Sequence, residues 1–588
     1  MQTPATVLDV IRERGRKGLP LERLYRQLFN PGLFLTAYAN LYSNAGAMTK
    51  GITQETADAM SMAKIRDLIE LLRFERFRWT PVRRVEIPKK NGRTRPLGIP
   101  SWTDKLLQEV LRLLLEAYYE PQFSDRSHGF RPKRSTHTAL MQVQNTGIGT
   151  RWFIEGDIKA CFDRIDHQIL LSILREKILD NRFLRLVEYL LKAGYCEEWF
   201  YKPTVSGTPQ GGIVSPLLAN LYLDRLDQFV EKTLIPSYTK GKTRNENPEY
   251  LKARRREQRC RKEGKVKEAR WWQKAKRRMP SQDPYDPNYR RLSYARYADD
   301  FLLCFVGPKV EAEEIKETLR GFLLDKLKLE LSEEKTLVTN AATSAARFLN
   351  YEISKGVCNS KLDWRKHRSV NGKLSLKAPR DVVTKALEPY RQGSRAIRRP
   401  EMTGMSDLEI VKRYQSRYRG LVNYYRLAGN LSIFGKLCFV METSLLLTLA
   451  SKFKTRVSEM LRKYKRKVQT PQGLRKCIEV IVERPGKKPL TARFGGVSLK
   501  RHLYRVATDP VLATPLRPKE LIRRLKKGIC ELCSRKVDVQ VHQIRKLRDL
   551  KRSGVIPDWA KLMLAIRRKT LVLCWPCHAQ VHGQATPA

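Results

Sequence analysis

The sequence predicts a multidomain α+β protein, and three observations carry that prediction. A chain of 588 residues is too long for one hydrophobic core and calls for roughly three to five units. Strand-like and helix-like stretches alternate over residues 82–354, then give way to a wholly helical pattern over 378–467. Two Cys-x-x-Cys pairs, Cys530/Cys533 and Cys574/Cys577, fall near the end, with the spacing of a small zinc-held module.

Taken in order, residues 1–75 read as helical, interrupted over 30–51 by a stretch rich in Gly, Asn and Ser. Asn91-Gly92 signals a hairpin turn, flanked by the cations Lys89 and Arg95. Trp152 to Gly156 is an aromatic and β-branched run, and it ends at Asp157 where the chain leaves the sheet. Asp166 precedes the apolar-periodic stretch Ile169-Leu170-Leu171 and reads as a helix N-cap; Asp157 has no such duty. Gln210 lies in the Gly-rich turn Gly207-Thr208-Pro209-Gln210-Gly211-Gly212, ahead of a helix begun by Ser215-Pro216. No Gly-Lys-Ser/Thr follows, so this turn is not a Walker loop. Residues 235–291 form an insertion dense in Lys and Arg and without apolar period, interleaved with Tyr250, Trp271 and Trp272. Charge runs are usually solvated faces, but aromatic rings among them favour RNA backbone contact with some stacking. Further on, Tyr414, Tyr418, Leu421, Val422 and Tyr425 recur at helical spacing and predict a buried helix face.

Tyr297-Ala298-Asp299-Asp300, between the strand-like runs 292–296 and 301–306, places two carboxylates on a hairpin tip. Two Asp in a turn are far more often solvated turn-formers than ligands. The third carboxylate, Asp157, changes the balance. Nucleotidyl transfer needs two divalent ions about 4 Å apart, and hard oxygen donors hold them.

Composition narrows the partners. A formal charge of +55 calls for a large polyanion, whose affinity should fall steeply with salt. A membrane is not expected, because the most apolar stretch, Leu431–Phe453, is broken by Lys436, Glu442 and Lys452 and reads as a buried helix. The first residues lack a secretory pattern, and eleven cysteines in this length are no disulfide scaffold. A reducing compartment follows, the cytoplasm of a bacterium or an organelle matrix or stroma, and not secretion.

Asp157-Ile158-Lys159-Ala160-Cys161-Phe162-Asp163, the Gln210 turn and the Tyr-Ala-Asp-Asp box stand in the order found in reverse transcriptases. Together with Arg95-Pro96-Leu97-Gly98, His128-Gly129-Phe130-Arg131-Pro132, Leu331-Ser332-Glu333-Glu334-Lys335 and Phe348-Leu349-Asn350-Tyr351, they make the chain resemble the proteins encoded by mobile group II introns. The resemblance covers nearly the whole chain. It implies an N-terminal extension that contacts RNA (1–75), right-hand polymerase fingers and palm (76–360, with the insertion 235–291), and a helical thumb or X domain of maturases (375–468). A basic DNA-binding region (469–527) and a ββα HNH-like zinc domain (528–588) complete the expected plan.

The same resemblance implies roles. Asp157, Asp299 and Asp300 would seat two Mg2+ ions, and Lys335 would stand near the leaving pyrophosphate as a general acid. Phe162 would lie under the incoming sugar and exclude a 2′ hydroxyl, Gln210 would contact the nucleotide, and Lys89 with Arg95 would clamp its triphosphate. The four cysteines would hold a structural Zn2+. His542, His578 and His582 would form the HNH-like site with a second divalent ion; His578 and His582, four apart, share one helical face. One departure stands out: where the family has two successive histidines, ligand then base, this chain has His542-Gln543, and glutamine takes no proton. Thr570 stands where the motif often has Asn. Nicking of DNA is therefore expected to be weakened or lost, with zinc retained. Expected partners are intron RNA, target DNA and dNTPs, with a homodimer left open. The rivals are a splicing factor with a spent polymerase, another class of bacterial reverse transcriptase, and a pure endonuclease. Intact carboxylates oppose the first, and the helical and zinc-type C-terminal parts oppose the second. The first 470 residues oppose the third.

Overall fold

Four strands form the central sheet of this computed structural model. Arg291–Tyr297 and Asp300–Val306 make a hairpin, Trp152–Asp157 pairs antiparallel to its second strand, and Val338–Asn340 adds the far edge. The description covers residues 2–583 except 45, 89–91, 93, 198–199, 203, 205, 208–210, 365–367, 471–472, 485–486, 502–519 and 552–555.

Side chains alternate across a strand, and here the alternation feeds two cores. Ile154, Leu303 and Phe305 point into the first, with helices His167–Arg175, Asn181–Lys192, Ser215–Phe229 and Lys309–Leu327. Phe153, Leu302 and Cys304 point into the second, with helices Thr136–Thr146, Asp407–Tyr424 and Phe434–Phe453. Asp166 caps its helix as predicted, accepting from the Gln168 and Ile169 amides at 2.9 and 3.0 Å. Pro216 sits in the first turn of Ser215–Phe229. A second sheet, in the order Thr94–Ile99, Val82–Pro88, Tyr195–Glu197, Phe200–Lys202, contains the hairpin announced by Asn91-Gly92; Gly92 takes a left-handed φ of 78°, and Asn91 lies outside the described residues.

Three stretches depart from the sequence reading. The supposed break at 30–51 contains a helix, Pro31–Leu41, which Asn30 caps by accepting from the Gly32 amide at 2.9 Å. Its Phe34, Ala37 and Tyr38 are wholly buried, so tertiary burial overrides the local turn signals. The basic insertion is a helical hairpin, Pro248–Lys262 and Val266–Arg278. Polar contacts hold it where an apolar stripe is missing: the buried Glu257 takes Lys276 Nζ at 2.5 Å and Arg261 Nη2 at 2.9 Å, and Arg256 lies 4.8 Å over the Trp272 ring. Lys465–Thr470, Gly473–Arg484 and Lys487–Phe494 form a three-stranded antiparallel sheet that the sequence did not announce. Phe494 from its last strand packs against Tyr414 and Tyr418, at 6.2 and 5.9 Å between ring centres.

Those two tyrosines, Val422 and Tyr425 are buried as their spacing requires, while Leu421 is half-buried. Helix Phe434–Phe453 lies in a stretch long and apolar enough to cross a membrane. Leu437, Met441, Leu445 and Leu449 form its buried stripe, and Phe439 on the opposite side is exposed, which is how a core helix of this fold packs. At the C-terminus, strands Val539–Gln543 and Thr570–Cys574 and helix Trp575–Val581 give the expected ββα unit. A third strand joins them from the other end of the chain: Met60–Ser61 pairs with Val539–Gln543, Met60 opposite Val541.

Candidate active site

Asp157 ends its strand directly opposite Asp300 across the antiparallel ladder, the placement that brings side chains closest. Asp299 occupies the two-residue turn between Tyr297 and Asp300. Its turn partner Ala298 has a left-handed φ of 56°, a strained conformation for a residue with a Cβ. The surroundings impose it. Arg296 Nη1 donates to the Ala298 carbonyl at 2.9 Å, and Gly129 lies beneath, where an added Cβ would come within 2.4 Å of the Ala298 nitrogen. That close approach explains the glycine in His128-Gly129-Phe130. Gly156 is required for a similar reason, since a Cβ there would lie 2.1 Å from the Phe301 ring.

Behind the turn, Arg296 Nε and Nη2 make a two-pronged pair with Asp227, at 2.8 and 2.5 Å, fully buried. Tyr294 Oη donates to the same carboxylate at 2.9 Å, Arg296 Nη1 reaches Asn220 at 3.2 Å, and Asn220 Nδ2 donates to the Gly129 carbonyl at 2.8 Å. Sequence reasoning missed Asp227, Asn220 and Arg296. Their one signal was polarity within otherwise apolar helix and strand patterns.

Asp299 and Asp300 resist ionisation. Burial, a hydrogen bond with Asp157 and the charge of Asp299 push Asp300 up to about 7; burial and Asp157 raise Asp299 as well. Lys335 Nζ donates to Asp157 Oδ2 at 2.8 Å, and that bond raises the lysine's own pKa. The Ser332 amide donates to the Asp157 carbonyl at 2.8 Å and fixes the loop that carries Lys335. Three half-buried hard-oxygen donors with too little positive charge among them fit divalent cations.

The remaining predicted residues are placed as follows. Arg95, exposed on Thr94–Ile99, lies near enough to draw down the Asp299 pKa. Phe162 follows the left-handed Ala160 (φ 48°), packs against the first core and stands edge-on to Phe130 at 6.1 Å. Lys89 and Gln210 lie outside the described residues. Asp157, Asp300 and Lys335 line a cleft whose other wall holds Phe348, Leu349 and Asn350. Leu349 and Asn350 form a left-handed turn, and the Leu349 carbonyl accepts from Tyr424 Oη at 2.9 Å.

In the C-terminal unit the four cysteines converge, all four sulfurs within 4.8 Å of one another and Cys533 Sγ 3.7 Å from Cys574 Sγ. A tetrahedron with zinc–sulfur bonds near 2.3 Å has edges of about 3.8 Å, so the donor set fits zinc. His542, His578 and His582 also converge, and a residue the sequence reading never considered joins them: Asp58, from the N-terminal segment. Gln543 is committed elsewhere. Its backbone amide donates to Asp58 at 2.6 Å and its side chain to the Tyr42 carbonyl at 2.7 Å. Thr570 pairs with Gln543 across the strands and contacts Arg524, outside the histidine group.

Comparisons with known proteins follow the same layout. Residues 87–353 match the family model of reverse transcriptase (RNA-dependent DNA polymerase), 373–480 that of type II intron maturase, and 530–578 that of AI2M/AI1M-like HNH endonuclease. The group II intron-encoded protein LtrA of Lactococcus lactis subsp. cremoris is 38% identical, over 99% of each chain. The "Uncharacterized 91 kDa protein in cob intron" of Schizosaccharomyces pombe is 33% identical over 98% of this chain and 72% of its own length. Protein YkfC of Escherichia coli is 34% identical over 54% of this chain. A likeness that runs from end to end, on a chain whose three carboxylates meet at one strand end, places it in the family of group II intron-encoded proteins, as an RNA-directed DNA polymerase with maturase and HNH-type parts.

Proposed function

We propose that the chain binds its own intron RNA, assists its splicing, and copies it into DNA from a target-strand 3′ hydroxyl. The cross-strand meeting of Asp157 and Asp300 beside Asp299 is the observation that supports the polymerase step most directly. In this reading the central sheet is the palm, the Val82–Pro88 and Thr94–Ile99 hairpin belongs to the fingers, and 375–468 is the thumb. Residues 469–527 hold target DNA.

Asp157, Asp299 and Asp300 hold the magnesium pair. Bound there, the ions supply Lewis acidity to the attacking hydroxyl and charge neutralisation to the departing pyrophosphate. Arg95 and Lys89 grip the triphosphate, Gln210 meets the nucleotide, and Phe162, backed by Phe130, leaves no room for a 2′ hydroxyl. Lys335 stays protonated beside Asp157 and is the proton donor for the leaving group. Gln543 stands where a base is needed for DNA cleavage, so nicking is weak or absent while the four cysteines keep zinc.

Primer extension on an RNA template tests the centre. Asp299→Asn is expected to lower the rate roughly 1000-fold, about 4 kcal/mol of barrier. Unchanged cDNA synthesis would overturn the assignment.

A further inference from the structure

Asp58 lies in a segment with no catalytic motif, yet its carboxylate meets three imidazoles from the opposite end of the chain. Oδ1 is 3.4 Å from His542 Nδ1 and 3.4 Å from His578 Nε2, and Oδ2 is 2.9 Å from His582 Nε2. Metal–nitrogen and metal–oxygen bonds near 2.05 Å set tetrahedral edges of about 3.3 Å. With one donor atom from each of the four residues within 4.8 Å of the others, the separations fit ligands around one small ion.

His542 supplies an independent reason. Its side chain is 4% exposed, Nε2 has no hydrogen-bond partner, and Nδ1 has only the long 3.4 Å approach to the Asp58 carboxylate. A buried imidazole so poorly partnered is costly, and a shared cation removes the cost. The donors, three nitrogens and one oxygen, suit zinc better than magnesium, which wants an octahedral oxygen shell.

The backbone is built to deliver Asp58. Ala59 takes a left-handed φ of 57° and donates its amide to the Val541 carbonyl at 2.9 Å, after which Met60 pairs with Val541 in the sheet. The Gln543 amide fixes the carboxylate itself. A non-glycine residue in that conformation persists only where its surroundings enforce it.

We propose that Asp58 is the fourth ligand of a zinc ion held by His542, His578 and His582, which makes the histidine group a closed structural clasp joining the N-terminal segment to the C-terminal unit. The three histidines alone are what the family resemblance implies; the fourth ligand, and the change of purpose it brings, come from the fold. A catalytic zinc keeps a position open for water or substrate, and here Asp58 fills it. The inference stands apart from the polymerase reading, and primer extension on the same preparations separates failure of one from failure of the other.

The experiment uses the full-length protein. Elemental analysis after dialysis should find two zinc ions per chain, and one in His542→Ala. Asp58→Asn keeps the acceptor for the Gln543 amide but loses the charge. It should release the second zinc to a chelator at least about tenfold faster, the loss that even an outer-shell change brings. Hydrogen exchange should then accelerate at residues 57–61 and 540–543, while the cysteine-bound zinc and primer extension persist. X-ray absorption at the zinc edge of the unaltered protein should show sulfur and nitrogen/oxygen neighbours in equal number. One zinc per chain, a sulfur-only shell, or unchanged zinc release and exchange in Asp58→Asn would each overturn the clasp.

Discussion

Arg296 and Asp227 are buried completely, yet their work is done at Ala298, whose carbonyl the guanidinium grips. Removing one partner of such a pair leaves an uncompensated charge and costs about 3–5 kcal/mol, whereas an apolar pair of similar size is often neutral. Asp227→Leu alone should therefore lower the unfolding midpoint sharply, and Asp227→Leu with Arg296→Met should regain most of it. The double variant should still extend primers poorly, because nothing then holds the Asp299 turn; recovery of both properties together would show that the pair is only structural. His128, in the segment beneath that turn, sets a pH limit. Burial pushes it down to about 4, and its two ring nitrogens are engaged by Thr138 at 2.9 Å and Gln142 at 2.5 Å. An unfolded histidine titrates near 6.5, so the folded chain binds fewer protons. Its contribution is complete above about pH 6.5 and lost as pH falls toward 4, about 3 kcal/mol in all. Melts at pH 7 and pH 5 should show this slope, and His128→Gln should flatten it.

The basic helical hairpin shows what a sequence of charges can hide at the scale of elements. Its two helices are tied by Glu257, Lys276, Arg261 and the Arg256–Trp272 stack, so no apolar period was there to read. Trp271, by contrast, is 60% exposed, and an exposed indole among cations suits stacking on an unpaired base. Trp271→Ala should weaken binding to intron RNA by roughly 1–3 kcal/mol, as measured by filter binding, without altering the melting profile. The elements that were legible had local reasons to form: the hairpin at 291–306 by its strand-like runs and Asp pair, the strand before Asp157 by its aromatic and β-branched run, the helix after Asp166 by its cap and the helix at Ser215 by Pro216 in its first turn, the Asp407–Tyr424 helix by its tyrosine spacing. Pro31–Leu41 and the 465–494 sheet were not legible, because their apolar residues find partners only in distant elements.

For the whole molecule, the candidate polymerase centre could be read because Asp157 ends one recognisable strand and Asp299 and Asp300 lie at the turn of one recognisable hairpin. Asp58 could not, since it touches its histidines across more than 480 residues of intervening chain and leaves no trace in its own neighbourhood. The two cores follow the same logic: the first collects apolar residues from the opening helices and from the final unit together, Tyr38 and Leu33 with Val541 and Leu571.

The pairing of Met60–Ser61 with Val539–Gln543 has a kinetic consequence. Domains ordinarily settle in turn as synthesis proceeds, but here Met60–Ser61 lacks its edge partner until residues 539–543, some 480 positions later, have been made. During that interval Met60–Ser61 waits unpaired, and synthesis that halts short of residue 539 leaves the segment around it unfinished as well.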